Sequence, residues 1–118
     1  MRSTQIAGPV FDSHAKIVMK EGTLCLRCNL QRADQQAFQE ACLSLCNSTK
    51  TNLCLDLSRS NYLNSLLIGI LVDAVTEMKS RNKIVSVLVS PEIGRFLHMA
   101  HLYHLFRYDI VEPPVEHV

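Results

Sequence analysis

Ile84-Val85-Ser86-Val87-Leu88-Val89 runs directly into Ser90-Pro91-Glu92. The first six residues carry no charge and are largely β-branched, the composition of a strand that packs well on a pleated surface. The next three open a helix: serine at the N-cap, proline at the first helical position and an acid in the first turn. Ile93, Phe96, Leu97 and Ala100 follow at helical spacing and predict that helix's buried face.

The same alternation extends toward the N-terminus. Asn52-Leu53-Cys54-Leu55-Asp56-Leu57 is apolar nearly throughout and predicts a central strand covered on both faces. A helix over residues 65–79 follows it, with Leu67, Ile70, Leu71, Ala74, Val75 and Met78 as its buried stripe. Asp73, Thr76, Glu77 and Ser80 fall on its wet face, where Glu77 can pair with Arg81 at i,i+4. Earlier still, Asp34 is a fair N-cap for a helix whose stripe is Ala37, Phe38, Ala41, Cys42 and Leu45. Two short runs, Ala15–Met19 and Thr23–Asn29, flank Lys20-Glu21-Gly22 and predict an antiparallel hairpin. Within the second run Leu24, Leu26 and Cys28 point one way, and Cys25, Arg27 and Asn29 the other. Beyond the last helix, residues 108–111 predict an edge strand. Residues 1–13, punctuated by Gly8-Pro9, form a lead-in, and residues 113–118 a loose tail. The order is β-β-α-β-α-β-α-β, which implies one α/β domain over residues 14–112. Its sheet is mixed, of four or five strands, with helices mainly on one side.

Composition narrows the function classes. The chain is 47% hydrophobic and 19% charged, the profile of an ordinary globular protein. Lys and Arg total 12 against 11 Asp and Glu, so the net charge of +1 gives no overall electrostatic footprint for nucleic acid or an anionic membrane. The longest uncharged apolar stretch, Leu66 to Val72, is far shorter than the roughly 20 residues of a spanning helix. Met1-Arg2-Ser3-Thr4-Gln5 leads into no extended apolar run, so it does not read as a signal peptide, and a cytoplasmic location is the expectation. Five cysteines, an odd number, read as reduced and buried apolar residues.

Leu53-Cys54-Leu55-Asp56-Leu57-Ser58, followed by Tyr62-Leu63-Asn64-Ser65-Leu66-Leu67-Ile68-Gly69-Ile70-Leu71, resembles the STAS family, the sulfate-transporter and anti-sigma-factor-antagonist domain. Members read as a hydrophobic strand ending Asp-Leu-Ser, a short loop, Asp-Ser-Ser-Gly-Leu-Gly and a helix. Asp56 matches the strand-end Asp, Asn64 the loop Asp, Ser65 the first Ser and Gly69 the last Gly. Val89-Ser90-Pro91-Glu92-Ile93 through Phe96-Leu97, then Leu102 and Leu105-Phe106, is similar to the family's last strand and helix. The resemblance implies an antagonist-like α/β fold and a protein-binding role without catalysis or cofactor.

One departure bears on mechanism. The serine that is phosphorylated in anti-sigma antagonists falls on Leu66, and the following Gly on Leu67. Leucine accepts no phosphate, so the usual switch is absent at this position; Ser65 keeps a hydroxyl one residue earlier, where it fits a first-turn serine bonding free N–H groups. The resemblance implies a partner-binding corner made of Ser58, Arg59, Asn61, Asn64, Ser65, Leu66 and Leu67. The partners it suggests are an anti-sigma factor kinase, a stressosome scaffold or, alternatively, the ATPase of a lipid-transport ABC system; a homodimer is left open.

Other constellations are weaker. Cys25 and Cys28 on one strand would point to opposite faces and cannot close on one metal. Cys42 and Cys46 share a helix face but lack a second pair. His98, His101 and His104 advance about 300° per step on a helix and drift round its surface, so they read as solvated residues near a helix C-terminus. No Gly-rich phosphate loop and no nucleophile–base set is present in the sequence.

Overall fold

A computed structural model describes residues 15–112. The expected lead-in and tail, and residue 14 at the start of the expected domain, lie outside the described residues. The elements are β1 (Ile17–Lys20), β2 (Thr23–Leu26), α1 (Gln35–Cys46), β3 (Asn52–Leu57), α2 (Ser65–Ser80), β4 (Ile84–Val89), α3 (Pro91–Met99) and β5 (Asp109–Ile110). The predicted β-β-α-β-α-β-α-β order holds, and β3 and β4 span the predicted residues.

The five strands lie in the order β1-β2-β3-β4-β5. Only β1 and β2 are antiparallel, joined through Glu21-Gly22, with Lys20 opposite Thr23. Gly22 sits at φ 73°, in the left-handed region that favours glycine, and a Cβ there would meet the Asn52 carbonyl oxygen at 3.1 Å. The pairs β2–β3, β3–β4 and β4–β5 are parallel. Each strand is therefore followed in space by its successor. Right-handed crossovers along such an order put every connecting helix on the same side.

Burial agrees with that geometry. Leu24 and Leu26, Leu53, Leu55 and Leu57, and Val87 and Val89 point to the helices and are buried, while Cys25, Cys54, Asp56 and Leu88 alternate onto the opposite face and are half-exposed. The expectation of a β3 covered on both faces is thus corrected: no helix among the described residues covers the second face. The core between sheet and helices takes Phe38, Cys42 and Leu45 from α1, Leu67, Leu71, Val75 and Met78 from α2, and Ile93 and Leu97 from α3.

The helix ends follow their sequence signals, with one substitution of role. Asn64 and Ser90 cap α2 and α3, their side chains accepting from the Leu67 and Ile93 N–H groups at 2.9 and 3.2 Å. Asp34 precedes α1, yet its carboxylate accepts instead from Gln31 N at 2.7 Å and from Lys16 Nζ at 3.0 Å. A 3-10 turn over Arg32–Asp34 comes between. The bond from the Gln31 amide, then the Lys16 ammonium, holds the Asp34 carboxyl below its ordinary value. Helices α2 and α3 end in residues at positive φ, Asn82 (64°) and His101 (60°). In each, the next residue's N–H returns to a carbonyl one turn back, Lys83 to Met78 and Leu102 to Leu97.

Two stripes need correcting. Phe96 and Ala100 were expected in the core beside Ile93 and Leu97, but both are exposed, and Gly94 takes the sheet-facing position. Gly94 has no room for a side chain: a Cβ would stand 2.9 Å from the Ile110 side chain of β5. In α2, Ile68 is buried while Ile70 is half-buried. α3 contacts β4 and β5 and leaves a groove beside α2, where Phe96 and Ala100 stay open. Ile70 instead lines a hollow between α1 and α2.

Candidate functional site

The C-terminal ends of the parallel strands β2, β3 and β4 form one edge of the molecule, the position at which open α/β sheets commonly present their working surface. Asp56 is the last-but-one residue of β3. Its Oδ1 accepts from Ser58 N at 3.0 Å and from Ser58 Oγ at 2.6 Å, so strand end and loop form one pinned turn. Ser60, fully buried, donates its hydroxyl to the Cys28 carbonyl at 2.7 Å. The Asn61 amide donates to Asn29 Oδ1 at 2.6 Å. Loop 58–61 is thereby tied to the segment leaving β2. Asn64 then caps α2, and the loop's one large apolar anchor, Leu63, is buried.

The sequence-predicted site residues separate into two groups. Arg59, Asn61, Ser65 and Leu66 are exposed and Asn64 is half-exposed, so these can meet a partner. Ser58 and Leu67 are buried and cannot. Leu67 is 0% exposed because it continues along α2 as Leu71 and Val75, the stripe that faces the sheet. Ser58 is spent on the Asp56 turn. Both shape the corner from beneath. Leu66, one residue from Leu67 and so rotated away from the core, is 46% exposed.

Next to Leu66 lies the groove between α2 and α3. Ser65, Ile68, Gly69, Val72 and Asp73 line one wall, and Phe96, Ala100, Leu102 and Leu105 the other; its volume is about 480 Å³. Phe96 is 44% and Met99 72% exposed, and Tyr62, Tyr103 and Leu105 add further exposed apolar area. Gly69 faces outward, and a Cβ built there meets nothing within 4 Å. Sequence reasoning missed this second wall by assigning Phe96 and Ala100 to the core. It also missed Asn29 and Ser60, whose only signal is small polar residues next to the strand ends.

The histidines and cysteines are dispersed. The rings of His98, His101 and His104 surround Tyr103, with the His98 and Tyr103 centroids 5.1 Å apart in a stack. Among the described residues no three His, Cys, Asp or Glu side chains are grouped to hold a metal ion. Cys28 was expected on the face of Leu24 and Leu26, but β2 ends at Leu26, the alternation stops, and Cys28 is exposed. Cys42 and Cys46 are buried, as expected of all five, while Cys25 and Cys54 are half-buried. Burial pushes the Cys42 thiol up to about 12, and it raises Cys25, Cys46 and Cys54 as well.

No helix among the described residues is long and apolar enough to cross a membrane. No curated protein matches the chain. A family model described as "Mlab, STAS domain" matches residues 13–112, which takes in the capped α2 start, the groove and every strand described above. The chain belongs to the STAS domain family.

Proposed function

We propose that this protein is a non-enzymatic docking module that binds another protein through loop 58–61, the start of α2 and the adjoining α2–α3 groove. In this reading it serves a partner-switching or stressosome-like signalling system, bound to an anti-sigma factor kinase or a scaffold. STAS domains are in general regulatory or binding modules. The observation that carries the reading is Leu66: an exposed leucine at the first turn of α2, next in sequence to Ser65 of a groove to which exposed Phe96 and Leu105 contribute. Contiguous exposed apolar surface of this kind marks interaction sites. With no hydroxyl at position 66, the contact is constant and is not broken by phosphate there.

The test is capture of candidate kinases and scaffolds by the wild-type chain and by Leu66→Asp. A carboxylate forced into an apolar contact should weaken the complex by about 30-fold or more, the scale of an interface hot spot. Unchanged binding by a correctly folded Leu66→Asp chain overturns the docking surface.

A second reading is an accessory subunit of a lipid-transport ABC system docked on its ATPase. The same apolar patch favours it, because permanent interfaces are more hydrophobic than transient ones. Copurification with an ATPase subunit in place of a kinase selects this reading. Self-association lost in Leu66→Asp would instead assign the surface to a homodimer.

A further inference from the structure

The sheet face turned away from the helices carries a basic pocket. Val18 and Lys20 of β1, Thr23 and Cys25 of β2, Arg27 just beyond it, Asp56 of β3 and Arg59 line a space of about 500 Å³. The register explains the grouping: Val18 lies opposite Cys25, Lys20 opposite Thr23, and Cys25 opposite Asp56. Lys20, Arg27 and Arg59 thus converge from three segments on one half-buried thiol, with a single carboxylate among them.

Among the described residues the three cations have no competing occupation. Among the described residues the ion pairs are Lys16–Asp34, Lys50–Glu21 and Arg81–Glu77, and none involves Lys20, Arg27 or Arg59. No side-chain hydrogen bond within the described residues engages their charged groups either. Asp56 is committed to Ser58 through Oδ1. The Cys25 thiol feels this setting. Burial, then the Asp56 charge, raises its pKa, while Arg59, Arg27 and Lys20 each pull it down. A chain of net charge +1 has gathered three cations, unpaired among the described residues, around one concavity.

We infer that this pocket binds a small polyanion, a ligand bearing two or more phosphate or carboxylate groups, held by Lys20, Arg27 and Arg59. Guanidinium forks suit both oxyanions bidentately. Lys20 and Arg27 enter from opposite ends of β2 and so grip separate charged groups, which favours an extended polyanion over a single phosphate. Arg59 lines the pocket and belongs also to loop 58–61, so a bound ligand would touch one residue of the proposed docking loop. The anion site itself stands independently of the docking function.

The test titrates the full chain with tripolyphosphate and, separately, with citrate, by calorimetry at physiological salt. Alkylation of Cys25 is followed in parallel by peptide-resolved mass spectrometry. Saturable one-to-one binding of either polyanion is expected, together with protection of Cys25. Losing one charge-assisted contact in Arg27→Gln or Lys20→Gln should weaken binding by about tenfold, with Lys79→Gln, on α2, as the unaffected control. Which of the two titrants binds more tightly identifies the oxyanion. Leu66→Asp should bind the polyanion as wild type does, so failure of the docking surface and failure of this site are read separately. Absence of saturable binding by both titrants overturns the inference. So does binding that the Arg27→Gln and Lys20→Gln variants retain in full, or that leaves the Cys25 alkylation rate unchanged.

Discussion

Ser90 does three things with few atoms. It ends β4, its Oγ accepts from the Ile93 amide at 3.2 Å, and its carbonyl accepts from Gly94 N at 2.8 Å. It is completely buried, so no water replaces a lost hydroxyl. Ser90→Ala should therefore cost about 1–2 kcal/mol, the upper part of the range for N-cap removal. The shift in urea midpoint at unchanged slope measures it, and an unchanged midpoint would show that the cap bond contributes nothing. Ser60 is the comparable buried hydroxyl in loop 58–61, but its acceptor is the Cys28 carbonyl, 32 residues away. The two serines show what can and cannot be read from sequence. A cap acts within three residues and announces itself as Ser-Pro-Glu. A bond between two loops depends on which strands become neighbours. Leu66 and Leu67 make the same point: identical side chains, one exposed and one buried, separated by the 100° turn between successive helical residues.

Among the elements, α2 is the one built for contact. It is long, capped by Asn64, packed on α1 along one side and open to the groove on the other. Gly69 on its exposed surface is costly for a helix. Because a Cβ there meets nothing within 4 Å, Gly69→Ala should stabilise the folded chain by about 0.5–1 kcal/mol. The added methyl would stand in the path of a partner lying along the groove. Higher thermal stability combined with weaker partner binding is the expected pair of results; higher stability with unaltered binding would remove Gly69 from the interface. The elements differed in how far they could be read. β3 and β4 were legible to the residue because their apolar runs are bounded by polar loops and a cap. The buried stripe of α3 was not, since helical periodicity gives the amphipathic face without giving which neighbour closes over it. Phe96 and Ala100 satisfy the spacing rule and still face an open groove, because α3 packs against Ile110 of β5 through Gly94. Half of the candidate surface was hidden from sequence for that reason.

On the scale of the whole molecule, sequential parallel pairing puts all three helices on one face of the sheet, so the fold has a dry layer and a wet face. Thiols occur on both, and their positions give the molecule an alkaline limit. Cys42, 2% exposed between α1 and the core, has its pKa pushed from the ordinary 9.0 up to about 12 by burial, with the neighbouring Cys46 adding to the shift. In the unfolded chain the thiol ionises near 9, whereas in the folded chain it keeps its proton. Between those values the folded state binds more protons than the unfolded state, so stability is full below pH 9 and declines as pH rises above it. The decline approaches about 1.4 kcal/mol per pH unit for one such thiol once the unfolded form is fully ionised. Cys25, Cys46 and Cys54 shift in the same direction through burial and steepen the fall. The informative quantity is the difference between wild type and Cys42→Ala, which isolates this thiol. Urea unfolding from pH 7 to 10.5 under reducing conditions should show Cys42→Ala less stable at pH 7, through the small cavity it leaves, and the gap narrowing above pH 9. Parallel curves across that range would mean that Cys42 ionises as readily in the folded chain as in the unfolded one, and would overturn the burial of its thiol on the core face of α1 as the source of the alkaline limit.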